Sequence, residues 1–321
     1  MIKVSMLIGN RPMNSIKSTK GPSQKNMAVI YTRNLSFTYP HSQKPVLKKL
    51  DLDIHKGEIF GLLGPSGCGK STTQRILMGL LKGFSGTANV FSRPISDISR
   101  RFYEKIGVCF ELPALYLRLS ALENLSLFAS LYSAPTLNPH HVLEMVGLRY
   151  AANQRVANFS KGMKMRLNLC RALIHDPQLL FLDEPTTGQD PSRARLTHEL
   201  LMHLKEQGKT IFLTTHNMAE AEHICDRVGF LSNGKIPVAG PPNDLKIKYG
   251  KRQIEVITSG KAGVVSNRFP MENLGKNQKF LKTIKQSDIR SIHTLEASLE
   301  EVFIKVTSHV EHSEKPSEKG A

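Results

Sequence analysis

Tryptophan is absent from the chain's 321 residues, and aromatic residues make up only 7% of them. No surface interleaving basic and aromatic residues, as stacked single-stranded nucleic acid needs, is visible. Cysteine is scarce as well. Cys68, Cys109, Cys170 and Cys225 stand far apart and form no Cys-x-x-Cys pair, which argues against a disulfide framework or a zinc site and for a reducing cytosol. No apolar run approaches the roughly 18–20 residues of a membrane-spanning helix, and residues 4–8 are too short for the apolar core of a signal peptide. Acidic residues are the last shortage: 27 Asp and Glu face 44 Lys and Arg, for a formal net charge of +17. That imbalance leaves two readings open. One is an acidic partner, nucleic acid or the anionic inner leaflet of a membrane. The other is a solvated surface helped by the charge of a bound anion.

What is present begins with Gly64-Pro65-Ser66-Gly67-Cys68-Gly69-Lys70-Ser71-Thr72, a P-loop of the form Gly-x-x-x-x-Gly-Lys-Ser/Thr. Its glycines let the backbone wrap an anion with successive N–H groups pointing inward. Lys70 is placed to reach the β- and γ-phosphates of a nucleotide, and the Ser71 hydroxyl to reach Mg²⁺. Residues 58–63 before it read as a short buried strand and residues 72–81 after it as a helix. That helix would aim its free N–H groups and positive dipole end at the phosphates. Alone, the loop indicates nucleotide binding and not what the nucleotide is for.

The length predicts one large domain and something smaller. Residues 1–27 carry Lys3, Arg11, Lys17, Lys20 and Lys25 with no acid, and read as a flexible basic extension. Met27, directly before the first strand-like run, offers an alternative start. The ordered core is expected over residues 28–245, with a helix-rich stretch at about 112–175 interrupting an α/β alternation. Residues 250–305 read as a small accessory module, with a strand at 253–258 and a helix at 295–305, and residues 306–321 as a disordered tail.

Individual elements have identifiable starts and stops. Ser120-Ala121-Leu122-Glu123 is a capping box opening a helix with Leu122, Leu125, Ala129 and Tyr132 on one face. Asn138-Pro139 starts a helix that Gly147 ends. Ser160 caps another, running to about residue 175 before Asp176-Pro177. Residues 179–182 are a continuous apolar run, as a parallel strand buried on both faces would be, and residues 210–214 read as another buried strand. Residues 192–206 read as a helix, and Asn233-Gly234 as a hairpin turn.

Two further motifs follow the P-loop. Phe181-Leu182-Asp183-Glu184 is an apolar strand ending in two carboxylates, the Walker B arrangement. Asp183 would hold the Mg²⁺ shell, and Glu184 would orient and polarise the attacking water as general base. His216, after Leu213-Thr214-Thr215 at a strand end, is placed to stabilise charge on a γ-phosphate.

Phe159-Ser160-Lys161-Gly162-Met163 resembles the signature motif of ATP-binding-cassette (ABC) ATPases, in a form found among exporter-type cassettes. Physically it is a helix start whose Ser160 and free N–H groups make an anion site. The resemblance implies that this site faces the γ-phosphate bound to the P-loop of a second cassette, so that two chains sandwich two ATP molecules. It extends over residues 28–245 with every motif in order. Tyr39 matches the aromatic residue that stacks on adenine, with Phe37 as its competitor. Gly188-Gln189-Asp190-Pro191 matches the D-loop between subunits, with Gln189 where leucine is commoner and Asp190 at the nucleotide interface. Residues 106–111 match the Q-loop, with Glu111 where glutamine is usual, and a carboxylate there is a good hard ligand for Mg²⁺. Met163 and Lys164 stand where many relatives have glutamine. Residues 295–303 resemble the C-terminal module of drug and antibiotic-resistance export cassettes.

The implied fold is a P-loop NTPase (RecA-like) α/β core with an inserted helical subdomain, an N-terminal antiparallel β region and a small C-terminal α+β module. The implied function is an ATP-hydrolysing subunit using ATP and Mg²⁺, paired as a homodimer and driving a separate transmembrane permease. That places it at the cytoplasmic face of the membrane as an exporter component, with residues 112–116 docking on the permease and no nucleic acid partner. The competing class is a soluble ABC ATPase acting on DNA or the ribosome. Against it stand a single cassette and the lack of a long heptad insertion or zinc-spaced cysteines. A binding-only regulatory cassette is opposed by the intact Lys70, Glu184 and His216.

Overall fold

Residues 59–63 and 179–183 are buried at every position, which only strands covered on both faces can be. The computed structural model describes residues 28–260 and 263–313. The expected basic extension, residues 1–27, lies outside them, as do residues 314–321. The first half of the chain contains β1 (Ala28–Phe37), β2 (Leu47–His55), β3 (Ile59–Leu63), α1 (Lys70–Leu77), β4 (Ser85–Val90), β5 (Arg93–Pro94), α2 (Arg100–Tyr103) and β6 (Ile106–Cys109). The helical stretch follows with α3 (Ala121–Ala129), α4 (Pro139–Met145) and α5 (Lys161–Leu173). The core resumes with β7 (Leu179–Asp183), α6 (Pro191–Glu206), β8 (Thr210–Thr215), α7 (Met218–Ile224), β9 (Arg227–Ser232), β10 (Lys235–Gly240) and α8 (Pro242–Tyr249). The last part is β11 (Gln253–Gly260), β12 (Gly263–Pro270), α9 (Gln278–Gln286), β13 (Asp288–Leu295) and α10 (Leu299–Ser313).

The central sheet has the order β10-β9-β3-β8-β7-β6, parallel except for the edge strand β10. Its side chains alternate strictly, as the two-residue period of a strand requires. Ile59, Leu63, Leu180, Leu182, Ile211 and Leu213 share one cluster with the helical stretch and with α6, α7 and α10. Phe60, Leu62, Leu179, Phe181 and Phe212 face the antiparallel sheet β2-β1-β4-β5 and helix α1. The parallel register (Leu63 beside Thr215, Asp183 beside Thr214, Cys109 beside Leu182) brings the ends of β3, β8, β7 and β6 to one edge of the sheet. Ligands of open α/β sheets bind at this carboxyl edge.

Three expectations change. Helix α1 ends at Leu77 rather than 81, because the chain reverses at Gly79 with φ +73°. Leu295 closes β13 instead of opening a helix; α10 starts at Leu299 and continues through residues 306–313, where a tail was expected. The accessory module is also not one unit. Strands β11–β13 and α9 share a small separate cluster, Val256, Phe269 and Phe280. Helix α10 instead returns to the main core through Leu299, Val302 and Val306, with the Phe303 ring edge-on to Phe230 at 5.5 Å. Leu299→Ala is therefore expected to destabilise the whole cassette by about 2–4 kcal/mol. Val256→Ala should leave the main urea transition in place, and a shift of both variants at the same midpoint would refute the division.

Candidate active site

The P-loop leaves β3 at Gly64, whose Cβ, were there one, would sit 2.3 Å from the Leu231 carbonyl and 2.8 Å from Cys68 Sγ. Only glycine lets the backbone pass there at φ +158°. Beyond it Pro65, Ser66 and Gly67 are exposed and form the open side of the cradle, while Gly69 is buried and precedes the first turn of α1. The Lys70 ammonium lies across the loop, donating to the Gly64 carbonyl at 2.7 Å and the Pro65 carbonyl at 3.1 Å. Ser71 is half-buried, and the Thr72 hydroxyl is 3.1 Å from the Tyr39 hydroxyl. Burial pushes the Cys68 thiol up against the pull of the Lys70 ammonium, so the loop carries no thiolate at neutral pH. Tyr39 lies two residues past β1 and is half-buried, whereas Phe37 is core, and their rings meet edge to face at 4.9 Å. Of the two, Tyr39 alone presents ring surface beside the loop.

Helix α1 is locked to the neighbouring strands by Gln74, whose buried amide donates to the Leu182 carbonyl at 3.0 Å. That residue fixes the distance between the P-loop helix and Asp183. The Thr214 hydroxyl donates to Asp183 Oδ1 from the adjacent strand. Glu184 sits at φ +51°, a costly conformation for a residue with a side chain, in the first turn after β7. Its carboxylate is held on every side. Oε1 accepts from the His216 backbone N–H at 3.0 Å and lies 2.7 Å from His216 Nδ1, and Oε2 accepts from the Thr215 hydroxyl at 3.1 Å. The Glu184 side chain is 11% exposed and the His216 side chain 64%, so the ring reaches outward from a buried acid. Glu111 is exposed, two residues past the end of β6, and so joins the same sheet edge from the side of Asp183.

The Ser160–Met163 segment is positioned differently. The Ser160 hydroxyl accepts from the Met163 N–H at 3.2 Å and so caps α5. A Cβ on Gly162 would lie 2.8 Å from the Gly188 carbonyl. The start of α5 thus packs on the loop that runs from Glu184 to Asp190, with the Lys161 stem against Gly188. Asp190 caps α6 by accepting from the Arg193 N–H. Lys161, Ser160, Gly188 and Asp190 are exposed and form one surface. Phe159 departs from the expectation of a ligand contact: its side chain is 4% exposed and anchors the segment in the main core.

Sequence reasoning missed Gln74 on α1 and Thr214 and Thr215 on β8, which hold the motif residues from neighbouring elements. For the two threonines, a strand ending in Thr-Thr and another ending in Asp-Glu were the only signal. The donor set suits a triphosphate and a hard divalent cation: a glycine-walled loop with an ammonium inside it, the Ser71 hydroxyl, and the Asp183 and Glu111 carboxylates. Among the described residues no three His, Cys, Asp or Glu side chains cluster closely enough to hold a metal by themselves.

The ABC transporter family model matches residues 47–187. A fluoroquinolones export ATP-binding protein of Mycobacterium tuberculosis is 43% identical over 296 residues, 92% of this chain and 98% of that protein. The bacitracin transport ATP-binding protein of Bacillus licheniformis is 35% identical, over 87% of this chain and 97% of that protein. Among solved structures, the ATP-binding subunit of an ABC transporter is similar with a TM-score of 0.62 and 28% identity, over 69% of this chain and 93% of that one. A dimeric ATP-binding cassette in a post-hydrolysis state with ADP and Pi is similar with a TM-score of 0.60 and 28% identity, over 66% of this chain and 98% of that one.

Proposed function

The chain belongs to the ABC transporter family, as an ATP-binding and ATP-hydrolysing subunit, and from that premise we propose that it drives export through a separate membrane permease by the opening and closing of a dimer. The observation that carries the chemistry is the Glu184–His216 pair, 2.7 Å apart at the sheet edge that also carries the P-loop. Backbone N–H groups of residues 64–72 cradle the phosphates, and the Lys70 ammonium turns from the loop carbonyls to the β/γ-phosphate oxygens. Tyr39, held by Thr72, stacks on adenine. Ser71, Asp183 and Glu111 are the residues that would hold Mg²⁺, which neutralises phosphate charge when bound. Glu184 takes a proton from the water that attacks the γ-phosphorus, and ADP leaves as the bond to its β-phosphate oxygen breaks. His216, exposed beyond its carboxylate partner, donates to the γ-phosphate as charge develops there.

The exposed surface of Ser160, Lys161 and Asp190, with Gly162 half-buried beside it and Met163 one turn inside, has the donors and the helix start to contact the γ-phosphate on a second copy. No described helix is long and apolar enough to cross a membrane. Exposed Leu112, Tyr116, Leu117 and Leu131, all in the helical stretch, support a docking face for the permease there. The named relatives are export and transport ATP-binding proteins, which disfavours the soluble ribosome- or DNA-acting alternative. Peripheral placement at the cytoplasmic membrane face follows from that partner. The deciding experiment measures ATP turnover of the full chain, and its co-purification from membranes with a multispanning protein. Turnover without any membrane partner would leave the ATPase and remove the exporter.

Glu111 gives a separate test. Glu111→Gln removes a hard anionic ligand and one negative charge near the γ-phosphate. The Mg²⁺ concentration for half-maximal turnover is expected to rise several-fold. An identical Mg²⁺ titration would remove Glu111 from the metal shell.

A further inference from the structure

The loop carrying Glu184 and the loop carrying His216 are also tied together away from the nucleotide, through one buried carboxylate. Glu220 on α7 is 7% exposed. The Thr186 hydroxyl lies 2.7 and 2.8 Å from its two oxygens, and His198 Nε2 of α6 lies 2.7 Å from Oε1. A hydrogen-bonded ring closes on the Glu184 carboxylate. Glu184 Oε2 accepts from the Thr215 hydroxyl, whose oxygen accepts from the Asn217 N–H. Asn217 Oδ1 accepts from the Glu220 N–H, and the Glu220 carboxylate accepts from Thr186, two residues after Glu184. Thr186 is coupled in turn to the exposed loop that meets α5. Its carbonyl accepts from the Gln189 N–H at 3.0 Å. The Gln189 side chain donates to the Pro185 carbonyl and accepts from the Thr197 hydroxyl. Displacing Gly188 or Gln189 therefore moves Thr186, and Thr186 cannot move without breaking a hydrogen bond to a buried charge.

We propose that Glu220, with Thr186 and His198, is a positioning cluster that holds the loop carrying Glu184 in register with the loop carrying His216. The inference rests on the reading of Glu184 and His216 as the hydrolytic pair. Glu220 touches no substrate in this arrangement, and its effect should fall on turnover rather than on nucleotide affinity.

The test is ATP hydrolysis by the full chain beside titration with a fluorescent ATP analogue. Thr186→Val, nearly isosteric, should lower kcat about tenfold or more while the dissociation constant stays within about twofold. Thr186→Ser, which restores the hydroxyl, should recover most of the rate. Glu220→Ala should lower kcat at least as much, and Thr186→Val combined with it should cost little more, because one interaction is being removed twice. Wild-type kcat in Thr186→Val, rates that Ser does not rescue, or losses that multiply in the double variant would each overturn the proposal. Thr186→Val also covers the case in which Glu220→Ala fails to fold. Absence of ATP turnover in the unsubstituted chain would instead defeat the assignment of Glu184 and His216.

Discussion

Glu184→Gln is expected to lower kcat by about 10²–10⁴-fold while leaving ATP affinity intact. The substitution keeps the volume of a side chain that is only 11% exposed, so neither cavity nor overpacking results. It also keeps an oxygen able to accept from the His216 backbone N–H and ring, now 3.0 and 2.7 Å away. What disappears is the proton acceptor for the attacking water. The P-loop, with Lys70 already inside it, is untouched, and so is the Ser160–Gly162 surface. The chain should then bind ATP, close on a second copy and stop. Gel filtration with ATP should show a dimer that Mg²⁺ does not dissolve over the time in which the unsubstituted chain returns to monomer. Near-normal turnover would sink the role of Glu184. A dead enzyme that stays monomeric with ATP bound would spare that role and defeat the two-chain sandwich.

Much of the fold was legible because its signals are local. The buried strands β3 and β7 announce themselves by their apolar runs, residues 59–63 and 179–182, and α3, α4, α5 and α6 each begin at a residue whose side chain caps the helix. The P-loop and the Asp183-Glu184 pair are contiguous in the chain. What was not legible depends on where separated elements meet. Gln74 looks like an ordinary helix residue until Leu182 is brought beside it by pairing across the sheet. Glu220 looks like one of two acids on a short helix until Thr186 and His198 close around it. The stretch after residue 295 is amphipathic in either frame, and nothing in its own sequence says that α10 packs on Phe230 rather than on the neighbouring strands. Phe159 carries the same ambiguity in one residue: it belongs to a ligand-facing motif, yet its ring is spent anchoring that motif.

Lys70→Ala should weaken ATP binding by about 10–100-fold, the loss expected for one charge-assisted hydrogen-bonding group worth roughly 1.5–3 kcal/mol. Lys70 is 8% exposed, and its ammonium is held by two carbonyl oxygens, at 2.7 and 3.1 Å. Neutral carbonyl dipoles compensate a buried cation incompletely, so an anion arriving at the loop gains more than it would from an ammonium in water. The backbone N–H groups and the start of α1 remain in the alanine variant, and they serve mainly the phosphates nearest the loop. ATP should therefore lose more affinity than ADP, because the γ-phosphate is the group most dependent on the lysine. Lys70→Arg should not restore binding. Gly64 already lies so close to Leu231 that even a methyl group is excluded, leaving the loop little freedom to make room for a guanidinium where an ammonium sits between two carbonyls. Calorimetric titration of both variants with ATP and ADP decides the matter. Unchanged ATP affinity in Lys70→Ala would refute the role of the lysine, and equal losses for the two nucleotides would place its contact on the β-phosphate alone.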